Sequence, residues 1–172
     1  MSKQLSWKEL SINFDTIIPG IGEIGGTDLA TQVLEYVIGP QFFEEAVDAY
    51  IKSEQGAELA RSVLVRLRTN SATLHCYKVY KTAASVAQRS AAVELLAASG
   101  TALTITWIPE FLSDSDSGSM IPGLAMRILD QLLYRSIINE DQAKPLYEIA
   151  SHHSNKEIRE LALSFLQLYE DN

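Results

Sequence analysis

One apolar stripe, repeated along the chain, limits what this sequence can become. It is clearest as Leu161, Ala162, Phe165 and Leu166. It recurs as Leu29, Ala30, Val33 and Leu34, and again as Leu59, Ala60, Val63 and Leu64. Two further copies are Ala91, Ala92, Leu95 and Leu96, then Leu124, Ala125, Ile128 and Leu129. Residues one, three and four apart share a helix face, so each copy marks one amphipathic helix. The alanines stand 30, 32, 33 and 37 residues apart, the period range of helical repeat arrays. Alanine fits where two helices cross closely and a larger side chain would overpack. One hairpin has nothing to bury such a stripe against, so stacked neighbours must supply the core. The expectation is an all-α chain, 1–172, forming one domain of about five hairpins. The approximate units are 1–38, 39–68, 69–99, 100–135 and 136–172.

Punctuation between the stripes supports this division. Residues 1–26 mix helical and alternating spacing and suit a short helix followed by an extended passage into the Pro19–Gly26 loop. Thr27 or Asp28 can cap a helix to about Ile38, with Gly39 as its stop and Pro40 beyond. Ser71, Ser85 and Asn139 are candidate N-caps, and Leu74, Tyr77, Tyr80 and Ala84 are assigned to one buried face. Pro109 and Pro145 fall inside apparent helices and should kink them. Pro122 can start one.

A proline in the first helix of a pair, Asn155 at the turn, then Ile158, Arg159, Ala162 and Leu166 resembles the HEAT repeat. Pro109 precedes Ala125 by 16 residues and Pro145 precedes Ala162 by 17, which extends the resemblance to the fourth unit. Only the last unit carries both the turn Asn and the Arg; the third keeps Arg89 but has Ser85 at the turn. The resemblance implies a right-handed α-α superhelix, a solenoid whose second helices line a concave face. The non-core positions on those helices would be Thr31, Gln32 and Glu35; Arg61, Val65 and Arg68; Val93, Glu94 and Ala97; Arg127 and Asp130; Ser164 and Gln167. Of these, Arg61, Val65, Arg68, Glu94, Arg127 and Asp130 are the candidate partner-binding residues.

Composition narrows the function classes. The net charge of −8 disfavours a general nucleic-acid binder, which needs an excess of Lys and Arg. No apolar run approaches a membrane span, and charges near the amino terminus argue against a signal peptide, so a cytoplasmic location is expected. Cys76 is the single cysteine and cannot form an internal disulfide. Charge is also segregated. Leu59 to Val93 holds no acidic residue and six basic ones: Arg61, Arg66, Arg68, Lys78, Lys81 and Arg89. That band could meet an acidic partner or simply be the solvent faces of two hairpins. Lys78 and His75 are placed outward on the first helix of the third unit, so the six charges are not expected to form one patch.

Other motifs carry less chemistry. Gly20, Gly22 and Gly25 fit the dinucleotide fingerprint, but no βαβ unit surrounds them, and a connector is the simpler reading. His152 and His153 are adjacent and cannot share one ion from a helix surface, whereas both can interact with a helix C-terminus. His75 beside Cys76 points elsewhere on a helix and makes no catalytic pair. The acidic stretch Asp114–Ser119 falls short of a calcium loop and reads as a solvated turn, or as a partner contact.

No cofactor, metal or catalytic residue is assigned. The expected role is a non-enzymatic protein-binding module: scaffold, adaptor or inhibitor/immunity-type. The alternative is a HEAT-like enzyme or enzyme subunit acting on a chromophore-bearing or nucleic-acid partner. From the stripe alone, Ala162→Leu should cost about 1–3 kcal/mol by overpacking. Leu166→Ala should cost about 2–5 kcal/mol by leaving a cavity. Chemical denaturation of each variant checks both figures.

Overall fold

In the computed structural model, which describes residues 27–170, the chain is all-helical, with no strand among those residues. The helices are α1 (Thr27–Ile38), α2 (Pro40–Ile51), α3 (Ala57–Leu67), α4 (Asn70–Thr82) and α5 (Val86–Ser99). A 3-10 segment, Ala102–Trp107, leads into α6 (Ile108–Leu112), followed by α7 (Met120–Tyr134), α8 (Glu140–Ala150) and α9 (Lys156–Glu170). The glycine motif at Gly20–Gly25 and the undecided 1–26 segment lie outside the described residues.

Local chemistry explains where most helices begin and end. Gly39 adopts φ +92°, its N–H donates to Glu35 O at 2.9 Å, and Pro40 opens α2 where no N–H donor is needed. Asn139 and Gln142 form a reciprocal capping box at α8. At α9, Asn155 Oδ1 accepts from the Glu157 and Ile158 N–H groups, and Arg159 clamps the turn by donating to the carbonyls of His153 and Ser154. The turn Asn and Arg therefore act locally.

Several boundaries differ from the sequence reading. Thr69, not Ser71, caps α4, accepting from Ala72 N–H at 3.3 Å. Ser85 occupies the N-cap position of α5 but makes no side-chain capping bond. Thr27 and Asp28 lie within α1 rather than before it. Pro109 stands at the start of α6, just after the 3-10 segment, so the chain changes helix type there instead of kinking mid-helix. Pro145 does lie inside α8, and its exposed position leaves the freed carbonyl open to water. The buried face of α4 is Ala72, Thr73, Cys76 and Tyr80, whereas Leu74 is 51% exposed and Ala84 follows the helix. Small residues share the core face there with Tyr80.

Packing follows chain order. The members of each pair α2/α3, α4/α5, α6/α7 and α8/α9 are in contact. First helices touch along the chain, with α2 on α4, α4 on the 3-10 segment, and α6 on α8. Second helices do the same, with α3 on α5, α5 on α7, and α7 on α9. In the repeated stripe Ala60, Ala92, Ala125 and Ala162 are buried, whereas Ala30 and Leu34 of the first copy are exposed, as are Leu59 and Leu161. The centre is α5, which buries Ala92, Val93, Leu95, Leu96 and Ala97 against several neighbours at once. Val93 and Ala97 are thus core residues, not members of an open face. At the end of α5 a Cβ on Gly100 would stand 2.5 Å from Leu96 O and 2.6 Å from Thr104 Oγ1.

Burial sets the cost of substitution. Leu166 is only half-buried, while Leu129 is fully buried. Leu129→Ala should cost about 2–5 kcal/mol, and Leu166→Ala clearly less than its equivalent in α7. Ala125→Leu should cost about 1–3 kcal/mol, because Ala125 has no accessible surface. Urea denaturation midpoints of the three variants check the order; equal costs for Leu129 and Leu166 would contradict it.

Candidate functional site

The polar side chains sort into those that tie hairpins together and those with no partner. The ties are many, and most join residues far apart in sequence. Glu35 of α1 accepts from Ser71 N–H at 2.7 Å and from the Ser71 hydroxyl, placing a carboxylate at the N-terminus of α4. Asp48 of α2 lies 2.8 Å from His75 Nε2 and 3.0 Å from Lys52 Nζ. Tyr77 of α4 donates to Glu110 of α6 at 2.6 Å, and Lys81 pairs with the same carboxylate. Tyr80 donates to Asp114 at 3.3 Å, and Arg89 of α5 pairs with Asp116 at 3.2 Å.

These bonds revise three expectations. His75 does not point outward: it is 12% exposed, held between α2 and α4. Two members of the basic band, Lys81 and Arg89, already have carboxylate partners inside the chain. The acidic stretch after Ser113 is not simply a solvated turn. Asp114 accepts from Ser117 N–H and Tyr80, while Asp116 holds Arg89, so the loop is docked on the third hairpin.

Chemical candidates are similarly committed. Cys76 is fully buried beside α2 and α5, and burial pushes its thiol pKa far up, away from thiolate chemistry. His153 Nδ1 accepts from Asn155 N–H at 3.0 Å, which leaves Nε2 as donor to Leu112 O at 2.9 Å. His152 bonds the Glu148 carbonyl at the end of α8, as a helix C-terminus favours. An open cleft of about 640 Å³ runs between the Leu112–Ser119 loop and the α8–α9 turn. Its Asp114 and His153 are the residues just described, with their polar atoms already engaged. No cluster of three or more His, Cys, Asp or Glu suited to a metal occurs among the described residues.

What remains uncommitted is largely arginine. Among the described residues no carboxylate pairs with Arg61, Arg66, Arg68, Arg127 or Arg135. Arg61, Val65 and Arg68 are half-buried on one flank of α3 and at its C-cap. Glu94 is exposed on α5, Arg127 is exposed on α7, and Asp130 is half-buried beside Gln131. Met120 and Tyr134, at 57% and 83% exposure, stand at the two ends of α7 on the same face as Arg127. Arg135 was missed in sequence because it follows a helix and lies outside the basic band. Burial, and after it the charge of Arg68, lowers its pKa, and one of its terminal nitrogens donates to Ala98 O at 2.9 Å. Glu35, expected on the open face, is instead engaged with Ser71.

Comparison with protein-family models, with curated proteins and with solved structures finds no match to this chain. No helix among the described residues is long and apolar enough to cross a membrane.

The ties carry a pH signature. Burial alone would raise the Asp48 pKa, but hydrogen bonds from His75 and Lys52 outweigh it and hold the carboxylate below its ordinary 3.8. Burial acts the same way on Glu110, and the bonds from Lys81 and Tyr77 hold it below 4.5. A depressed carboxylate stabilises the fold above its unfolded pKa, and that contribution disappears as pH falls through the folded one. The Glu110 bond raises the Tyr77 pKa above 10.0, so its contribution is complete below that value and lost as pH rises through the raised one. Urea midpoints should therefore fall on both sides of a neutral plateau. Asp48→Asn with Glu110→Gln should flatten the acid limb, and an unchanged limb in that variant would contradict the assignment.

Proposed function

We propose that this protein is a non-enzymatic protein-binding module, built as a right-handed array of HEAT-like hairpins. The packing of first helix on first and second on second, in chain order, supports the array reading. The hairpin resemblance in the last two units supports the family reading. The role of Arg61, Val65, Arg68, Glu94, Arg127 and Asp130 as a partner surface belongs to this proposal.

One observation carries the functional part. The chain has 22 acidic residues against 14 Lys and Arg, so internal counter-ions are abundant. Lys52, Lys81, Arg89 and Lys156 each have one, yet the half-buried Arg61 and Arg68 have none. A partly desolvated arginine without a carboxylate is costly unless another molecule completes it. Arginine flanked by exposed Met and Tyr is also the composition that protein interfaces favour. The partner is expected to be a protein with an acidic contact surface.

Charge reversal tests this directly. The Arg61→Glu, Arg68→Glu double variant should lose partners that the native chain captures by cross-linking in lysate of its source, with unchanged helical content by circular dichroism. An identical set of captured proteins would overturn the arginine surface.

A further inference from the structure

We infer that the outward face of α7 pairs two copies of this chain about a two-fold axis, through Gly123, Arg127, Asp130 and Tyr134. This rests on the protein-binding reading and gives the α7 part of that surface its partner. The four residues follow one another at intervals of three or four, so they fall on one side of the helix. The buried residues of α7, such as Ala125 and Leu132, lie on the opposite side, and the helix packs on α5 and α6. On the open side Arg127 is exposed, Tyr134 is 83% exposed, and Gly123 and Asp130 are half-buried.

Glycine is the least favourable helix residue after proline, so one inside a helix calls for a reason. Gly123 has none within the chain. Its N–H makes an ordinary helical bond to Ser119 O at 2.9 Å, and it is not among the positive-φ glycines. A Cβ built on it would meet nothing within 4 Å. Tyr134 is the reverse case, a large ring left in the open at the other end of the same stripe. Arg127 pairs with no carboxylate among the described residues, not even with Asp130 three residues on. Asp130 accepts a long bond of 3.5 Å from the Gln131 amide, which leaves its charge uncompensated.

An antiparallel second copy of α7 answers all four at once. With the two-fold axis between positions 128 and 129, position 123 faces 134 of the copy and position 127 faces 130. Each Tyr134 ring then lies over the bare backbone at Gly123 of the copy, a knob entering a hole. Each Arg127 meets Asp130 of the copy, and the two ion pairs are equivalent by symmetry. That reciprocity is what a two-fold interface demands. A parallel pairing fails, because it sets Arg127 against Arg127 and Asp130 against Asp130. Arg127 and Asp130 are the only charged residues of α7, so this face is neutral. Elsewhere the net charge of −8 makes two copies repel, which confines their contact to such a face.

Sedimentation velocity of the full chain over a range of concentrations tests the pair. The native chain should pass from one copy to two as concentration rises, and a chain that stays single throughout overturns the proposal. Gly123→Leu fills the hollow with a better helix former, so helical content by circular dichroism should be unchanged. Its dimer should be weaker by about tenfold or more, the loss that overpacking a close contact produces. A dimer that this substitution leaves intact overturns the α7 register. Arg127→Asp and Asp130→Arg should each be monomeric, because both pairs then join like charges. Mixed in equal amounts, the two variants should form a one-to-one dimer, since opposite charges again face each other in both pairs. A mixture that stays monomeric overturns the reciprocal pairing. The two readings fail separately. A single chain that still loses its captured partners when Arg61 and Arg68 are reversed keeps the binding module and overturns the dimer. A dimer whose captured partners ignore that reversal keeps the α7 pair and overturns the arginine surface.

Discussion

The fold depends on α5 being narrow enough to be surrounded. Ala92 and Ala97 lie on it without accessible surface to speak of, and Gly100 follows where a Cβ would strike the backbone of Leu96. Helices α2, α3, α4 and α7 all reach it. Close approach brings more atoms into contact, and dispersion and apolar burial both grow with that contact. A larger residue at any of these points would separate α5 from one neighbour and strip cover from the others. The alanines repeated in α3, α7 and α9 extend the same rule outward, with each hairpin supplying the surface that its neighbour needs.

Stacking of this kind brings polar residues together in register. Carboxylates of one helix pair reach hydroxyl, imidazole and cationic groups of an adjacent pair, as in Asp48 with His75 and Glu110 with Tyr77 and Lys81. An aromatic seam reinforces the same boundary: Tyr77 stacks on Trp107 with ring centroids 4.1 Å apart, and Tyr80 meets Phe111 edge-on. The change of helix type before Pro109 brings Trp107, Glu110 and Phe111 to that seam. Apolar stripes set which faces meet, and these directional contacts fix how far along the faces the helices sit.

The same register separates the basic residues that serve the fold from those of the proposed partner surface. Lys81 and Arg89 meet an acidic residue of the following hairpin, so they serve the fold. Arg61 and Arg68 are half-buried and have no carboxylate partner among the described residues. That asymmetry, in a chain rich in acid, is what the proposed partner surface rests on.

Sequence by itself determined the helices, their caps at Gly39 and Asn139, and the alanine register, because each follows from spacing within a few residues. It also marked Arg61 and Arg68 as unusual, through the absence of acid between Leu59 and Val93. It misplaced Val93 and Ala97, since a helix buried on several sides has no polar stripe by which to tell its faces apart. Only the tertiary structure decided that His75 turns inward and that Asp114 and Asp116 are structural. Each of those depends on partners 27 to 34 residues away, brought together by the packing of neighbouring helices. Local periodicity fixes which face of a helix is apolar; which charged group waits on the other side of the contact depends on the neighbour.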